Sequence, residues 1–239
     1  MNRKRPMNPV YLLLALMLVL NFLRQPSLSL TDWLYDILTF LPGIILALGF
    51  HEAAHAYVSH WLGDPLPRAQ GRLTLNPIAH MDPFGFLFIL MCGFGWGRPV
   101  SIDPRYYRKP RRDEALTALA GVTMNFLLAI VFTLVLKAIL AFAPGFLFTE
   151  VGDILRQIIL KIIQVNLGLM LFNLLPCAPL DGFNLVTQIF NLRRYSWYPA
   201  AYQWGMPVLM LLIIFNVVDR ILLPPLTLLY GFLDWILML

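Results

Sequence analysis

The chain has 239 residues, of which 59% are hydrophobic and only 13% are charged, and its formal net charge is +5. Soluble domains carry about 25% charged residues, so this composition excludes an ordinary soluble enzyme and predicts one integral membrane domain over residues 1–239. The two cysteines, Cys92 and Cys177, lie far apart in apolar runs, which excludes a disulfide-rich secreted domain.

Long apolar runs follow one another along the chain. They predict an all-α polytopic membrane protein, a bundle of about six transmembrane helices. The first run follows the basic segment MNRKRP and is not followed by a small-residue cleavage site, so we interpret it as a retained span rather than a signal peptide. The predicted spans are residues 10–23, 33–62, 115–142, 154–175, 200–218 and 225–239.

The predicted breaks between these spans contain proline and glycine. Gly63, Asp64 and Pro65 end the second span, and the last two spans are separated by the segment DRILLPP. Residues 84–96 are apolar and rich in glycine, but they are too few to cross a bilayer. We therefore expect 84–96 to form a re-entrant or extended segment after the second span.

Most basic residues lie in loops on one side of this layout. The positive-inside rule predicts that this side faces the cytoplasm. Both termini lie on this side, and we expect the membrane to be a bacterial cell membrane. The flanking spans account for these charges, so we expect lipid and no nucleic acid as a partner. The thirteen basic residues on this side are Arg3, Lys4, Arg5, Arg68, Arg72, Arg98, Arg105, Arg108, Lys109, Arg111, Arg112, Arg193 and Arg194.

The second predicted span contains the motif HEAAH, residues 51–55. On an α-helix, His51 and His55 lie about 40° apart on one face, so both imidazoles reach one metal ion, and Glu52 lies beside it. Zinc hydrolases use this arrangement: two neutral nitrogens hold Zn²⁺, and a carboxylate takes a proton from water. The motif predicts one catalytic zinc ion per chain with Glu52 as the base.

A catalytic zinc ion usually has a third protein ligand. His60 points to the opposite helix face, and no glutamate occurs between Glu52 and Glu114, which argues against a thermolysin-like ligand set. Asp181 is favoured, because the prolines of NLLPCAPL break the helix before it and an unwound segment can turn a carboxylate toward a neighbouring helix. The candidate third ligands are Asp181, Asp64, Asp82 and His80.

The remaining candidates have ordinary interpretations. Asp64 and Asp82 stand beside prolines and are typical of turn or cap residues. His80 is interpreted as a plain loop histidine, with a gating or substrate contact as the alternative. Cys177 is interpreted as a packed thiol, with metal ligation as the alternative.

Four segments together resemble the site-2 protease family of intramembrane zinc metalloproteases, in its compact branch without PDZ-like or nucleotide-binding domains. The resemblance covers roughly residues 43–185, and the segments occur in the family's order and spacing. They are HEAAHA, LGDPLPRAQGRLTLNPIAHMDPFG, FGWGRPVSIDPRYYRKPRRDEALTALAG and NLLPCAPLDG.

The resemblance implies regulated proteolysis of single-span substrates, in or near their transmembrane helices, with Glu52 as the catalytic base. Asn173 matches the family asparagine eight residues before the aspartate, which implies contact with the substrate backbone or the oxyanion. Asn125 matches the asparagine of another family segment. The zinc ligands that the resemblance implies are His51, His55 and Asp181.

The sequence departs from the family pattern at Val122, Cys177 and Ala178, none of which removes a ligand.

Two other functions use the same ligands. A catalytically silent, zinc-stabilised membrane scaffold or chaperone has no need of Glu52. A metal transporter needs a second polar site deeper in the bundle, for which the spans offer few residues. The presence of Glu52 favours the protease.

Overall fold

A computed structural model describes residues 13–16, 19, 29–92 and 95–238, without the side chain of Cys92. Within these residues the secondary structure is helical, and the β-pairing is a single isolated bridge between Met81 and Gly97. The predicted all-α fold class is confirmed. The predicted first span, 10–23, lies largely outside the described residues.

The α-helices of the part from residue 29 onward are numbered here in chain order. Short 3₁₀ helices lie between them at Pro77–His80, Pro104–Tyr106, Pro144–Phe148 and Leu192–Arg194. The α-helices are α1 Leu30–Trp61, α2 Leu66–Ala69, α3 Pro83–Cys92, α4 Pro110–Phe142, α5 Glu150–Asn173, α6 Asp181–Phe190, α7 Tyr198–Ile214 and α8 Val217–Met238.

Four of these helices, α1, α4, α5 and α8, are long and apolar enough to cross a membrane. Helix α7 has 17 residues, about 25 Å of helix, which is shorter than the hydrocarbon layer of about 30 Å. It occupies most of the predicted span 200–218 and ends at Ile214. The count of six spans stays a prediction.

The helix ends follow local side-chain chemistry. The hydroxyl of Ser29 accepts a hydrogen bond from the Asp32 amide at 3.1 Å and caps α1, and Thr149 caps α5 in the same way. At the other end of α1, Gly63 has a φ of +113°, a conformation that glycine adopts readily. The chain therefore leaves α1 where the glycine–aspartate–proline signal predicts.

The predicted boundary between the last two spans differs from the structure. The segment DRILLPP does not separate two helices, because α8 continues through Pro224 and Pro225. The Thr227 hydroxyl donates to the carbonyls of Leu223 and Pro224 at 3.0 and 2.7 Å. The prolines themselves remove the usual amide donors to the Arg220 and Ile221 carbonyls, and the helix nevertheless continues past them. The chain instead breaks at Asn216, whose φ is 55°.

Residues 84–96 form helix α3 over most of their length. Its ten residues span about 15 Å, half of the hydrocarbon layer, so α3 does not cross a bilayer by itself. After it, the chain returns so that Gly97 pairs with Met81. The re-entrant placement of this segment stays a prediction.

Helices α1, α4 and α5 pack against one another, and α6 lies against α4. Small residues allow these close approaches: a Cβ added at Gly43 of α1 would lie 3.2 Å from the Ile162 Cα of α5. A cluster of buried residues, including Ala129, Leu167 and Leu233, packs between α4, α5 and α8. The arrangement brings the start of α6 next to the HEAAH turn of α1.

Candidate metal centre

Three potential ligand side chains from two helices converge on one point. Within the described part of the chain, His51, His55 and Asp181 form a group whose ligand atoms lie within 4.8 Å of one another. The His51 and His55 Nε2 atoms lie 3.1 and 3.2 Å from Asp181 Oδ2, and 3.1 Å from each other. Ligands of a tetrahedral zinc ion with bonds of about 2.0–2.1 Å lie about 3.3 Å apart. The spacing therefore fits zinc.

The other nitrogen of each imidazole is held by an acceptor. His51 Nδ1 lies 2.6 Å from Asn125 Oδ1, and His55 Nδ1 lies 2.7 Å from the Thr117 carbonyl oxygen. Both partners accept hydrogen bonds, so each Nδ1 carries the proton and each Nε2 presents its lone pair to the centre. This is the tautomer that a metal-binding histidine needs.

The side chain of Asn125 is itself oriented by its neighbours. Its Nδ2 donates to the Ala47 carbonyl and to Asn166 Oδ1, each at 3.0 Å, and both asparagines are fully buried. The amide nitrogen is thereby directed away from His51, which leaves Oδ1 facing the ring. The sequence alone does not assign a role to Asn125 or point to Asn166. A polar residue such as asparagine inside an apolar span nevertheless indicates a structural or functional site.

Asp181 is placed by the turn that connects α5 to α6. Helix α5 ends at Asn173, and Asp181 is the first residue of α6. Its Oδ2 is buried and has no hydrogen-bond partner. A carboxylate oxygen facing two nitrogen lone pairs is unfavourable unless a cation lies between them, so the donor set fits a zinc ion on chemical grounds as well.

Glu52 lies beside this group. Its Oε2 accepts a hydrogen bond from the Val100 amide at 3.3 Å. We call residues 95–104 the wall segment, because most of them line one side of the cavity that contains the metal-binding group. Glu52 is thus held between the metal centre and the wall segment, where a catalytic base is needed.

The cavity has a volume of about 850 Å³ and is lined by both polar and apolar side chains. Leu48, Phe172 and Met206 are among its apolar residues. Asn173 also lines it and donates from Nδ2 to the Leu169 carbonyl at 3.0 Å. Asn173 is therefore near the centre without belonging to the metal-binding group, and the bond to Leu169 uses one of its two Nδ2 hydrogens.

The other sequence candidates lie outside the metal-binding group. Asp82 accepts from the Gly85 amide at 2.7 Å, and Asp64 accepts from the Leu66 amide at 2.9 Å, as cap or turn residues do. His80 is the last residue of the 3₁₀ helix Pro77–His80 rather than a loop residue, and it is fully buried, with Nε2 3.0 Å from the Thr74 carbonyl oxygen. Cys177 packs in an apolar cluster, and its thiol lies 3.6 Å from the Gly205 carbonyl oxygen.

Comparison with known proteins adds independent information. The chain is 37% identical over 204 residues to "Putative zinc metalloprotease YwhC" of Bacillus subtilis (strain 168), covering 80% of this chain and 89% of that protein. The chain belongs to the site-2 protease family of zinc metalloproteases. A second relative of this site-2 protease is "Putative zinc metalloprotease Rip2" of Mycolicibacterium smegmatis (strain ATCC 700084 / mc(2)155), 26% identical over 75% of this chain and 68% of the relative.

Rip2 of Mycobacterium tuberculosis (strain ATCC 25618 / H37Rv) is 30% identical over 60% of this chain and 54% of that protein. No protein-family profile matches the chain, and no solved structure does. This site-2 protease is thus a zinc-dependent metalloprotease of membrane type, and the group of His51, His55 and Asp181 is a possible zinc site.

Proposed function

We propose that this site-2 protease cuts peptide bonds in or near the transmembrane helices of single-span membrane proteins. The observation that supports this most directly is the position of Glu52 and the metal-binding group, which face one cavity with apolar walls among candidate membrane-spanning helices. Residues 37–50 of α1 contain no charged side chain, so about 21 Å of apolar helix precedes the motif. This apolar length supports a position of the centre at membrane depth.

The proposed chemistry assigns one role to each group. Bound zinc supplies Lewis-acid polarisation of a water molecule and of the scissile carbonyl. His51, His55 and Asp181 hold the ion. Glu52 accepts a proton from water and returns it to the leaving nitrogen. Asn173, whose side chain lines the cavity, donates a hydrogen bond to the developing oxyanion or to the substrate backbone.

The wall segment supplies a surface for an unwound substrate. Within the described residues, the Arg98 amide donates to the His80 carbonyl at 2.8 Å, and near the end of the segment the Asp103 and Pro104 carbonyls accept from the Tyr106 and Tyr107 amides. The amides of Gly97 and Ser101 have no hydrogen-bond partner in the described part of the chain, and we infer that they pair with an extended peptide by strand addition. A substrate helix has to unwind before attack, because its own hydrogen bonds shield its carbonyls.

The test is cleavage of single-span peptides by purified protein in detergent. Wild type and Glu52→Gln are expected to bind one zinc ion each, and Glu52→Gln loses at least about 100-fold in rate, because only the base is removed. Zinc content is measured by elemental analysis and cleavage by mass spectrometry. A chelator abolishes wild-type cleavage, and added zinc restores it.

Glu150→Gln is the matched control, since Glu150 is an exposed residue in the first turn of α5 and should leave cleavage unchanged. Equal cleavage by Glu52→Gln and wild type would contradict the proposed base. Full biological activity of Glu52→Gln without any cleavage would instead support the scaffold or chaperone.

A further inference from the structure

Asp64 has a buried carboxylate that the zinc chemistry does not use. Its side chain is fully buried, and no ion pair joins it to a basic side chain among the described residues. A buried carboxylate is costly unless its oxygens are hydrogen-bonded. Three donors satisfy it: the Ser59 hydroxyl at 3.0 Å and the amides of Leu66 and Asp103 at 2.9 and 2.8 Å.

These three donors belong to three different parts of the fold. Ser59 lies on α1, one turn beyond the ligand His55. Leu66 begins α2, and Asp103 belongs to the wall segment. A single carboxylate therefore connects the helix that carries both histidines to the segment that faces them across the cavity. A turn residue needs only the bond to Leu66, so the other two bonds require a further explanation.

A second connection runs from Ser59 to the metal centre through side chains. The Tyr107 hydroxyl donates to Ser59 Oγ at 2.8 Å and lies 3.2 Å from Thr117 Oγ1. The Thr117 carbonyl in turn accepts from His55. Burial raises the pKa of the Tyr107 phenol above its ordinary value near 10, so the hydroxyl keeps its proton at neutral pH.

We propose that Asp64 is a positioning residue for peptide cleavage, which holds the wall segment at a set distance from His51, His55 and Asp181 through Ser59 and the Asp103 amide. The inference rests on the proposed function. The peptide has to fit between the wall segment and the metal centre, so the separation of these two surfaces sets the attack geometry. A displacement of about 1 Å can lower a rate 100-fold.

The experiment compares Asp64→Asn with wild type in the full-length protein. Asparagine keeps the side-chain size but loses one acceptor and the charge. We expect kcat/KM for a single-span peptide to fall between about tenfold and 100-fold, mainly through kcat, with one zinc ion still bound. Hydrogen exchange followed by mass spectrometry should show faster exchange of the wall-segment peptide that contains Val100 and Asp103.

Asp82→Asn is the matched control, because Asp82 is also an aspartate before proline but caps only the Gly85 amide. It should leave both readouts unchanged. Tyr107→Phe removes one hydroxyl from the connection between Ser59 and Thr117. It is the replacement test variant if Asp64→Asn does not fold. We expect it to lower kcat/KM about fivefold and to speed exchange of the same peptide.

The outcomes separate the two proposals. Wild-type protein that binds zinc but cuts no single-span peptide contradicts the proposed function. An active wild type beside Asp64→Asn with unchanged kcat/KM and unchanged exchange contradicts only the positioning role. Loss of zinc in a folded Asp64→Asn would also overturn it, since the residue would then support the metal site itself.

Discussion

At the scale of single residues, the metal centre depends on side chains that never touch the metal. His51 and His55 present their Nε2 atoms because Asn125 and the Thr117 carbonyl hold the Nδ1 protons. A carboxamide offers either its oxygen or its nitrogen to a neighbour. Asn166, through its bond to Asn125 Nδ2, makes the oxygen the atom that faces His51.

Replacing Asn125 should weaken zinc binding. In Asn125→Leu the Nδ1 proton of His51 loses its acceptor, and the ring is no longer held in one tautomer, so we expect zinc affinity to fall about 10- to 100-fold. Competition with a chromogenic chelator measures this. Asn173→Ala is the comparison variant: it should retain wild-type zinc affinity and lower kcat. Equal zinc affinity in Asn125→Leu and wild type would show that the hydrogen bond is dispensable.

Gly121 lets α4 approach both imidazoles. A Cβ at this position would lie 2.5 Å from His51 Cε1 and from His55 Nε2, far inside van der Waals contact. Gly121→Ala should therefore displace the rings and abolish stoichiometric zinc binding, as measured by elemental analysis. Gly168→Ala is the control, because nothing lies within 4 Å of its Cβ position. A fully zinc-loaded Gly121→Ala would contradict the packing.

At the scale of helices, the position of Asp181 depends on how α6 is fixed to α4. The Arg111 side chain donates to the carbonyls of Gln188 and Ile189 near the end of α6, and Gln188 donates to Glu114 at 2.7 Å. Arg193, just beyond α6, pairs with Glu114 at 2.6 Å. These contacts hold the C-terminal end of a ten-residue helix, whose first residue is Asp181, against the helix that orients the histidines.

A double-mutant cycle on Glu114 and Arg193 measures this link. The Glu114 side chain is 10% exposed, but that of Arg193 is 51% exposed, so solvent screening keeps the interaction modest. We expect Glu114→Gln and Arg193→Gln to show a coupling free energy of about 1 kcal/mol. Unfolding in detergent by a denaturant series gives the four free energies. A coupling near zero would mean that the ion pair between Arg193 and Glu114 does not help to hold α6.

Helix boundaries show where local signals were sufficient. The end of α1 at Gly63 follows from a residue that tolerates positive φ. The break after α5 follows from the prolines before Asp181. In contrast, the prolines of α8 do not end the helix, and the chain breaks at Asn216 instead. A proline signal in a membrane helix depends on whether nearby groups satisfy the backbone.

At the scale of the whole molecule, we expect the metal centre to lie closer to the cytoplasmic face. Gly121 is eleven residues from the start of α4 at Pro110, which is about 17 Å, whereas the rest of the helix extends about 32 Å. The positive-inside rule places the basic loop before α4 in the cytoplasm. Cleavage products would then be released on that side.

Cysteine labelling tests this orientation. Arg108→Cys and Gly145→Cys, made singly after both native cysteines are replaced by serine, lie just beyond opposite ends of α4, which has 33 residues. A membrane-impermeant thiol reagent added to intact cells should label position 145, and position 108 only after the membrane is opened. Labelling of position 108 in intact cells would reverse the predicted topology.

The amino-acid sequence by itself determined the membrane character, the all-α class, the family and the use of zinc. These follow from composition and from short local patterns. The HEAAH spacing places both imidazoles on one helical face whatever the rest of the chain does, since one turn of helix separates them. Asp181 also has a local signal, because prolines break the helix before it.

Only the tertiary structure decided which distant groups meet these residues. The contacts of His51 with Asn125, of Glu52 with the Val100 amide, and of Asp64 with the Asp103 amide join residues that are 74, 48 and 39 positions apart. No local pattern encodes such distances, because they result from packing between helices and from the path of the wall segment. The close fit of Gly121 against both rings has the same origin.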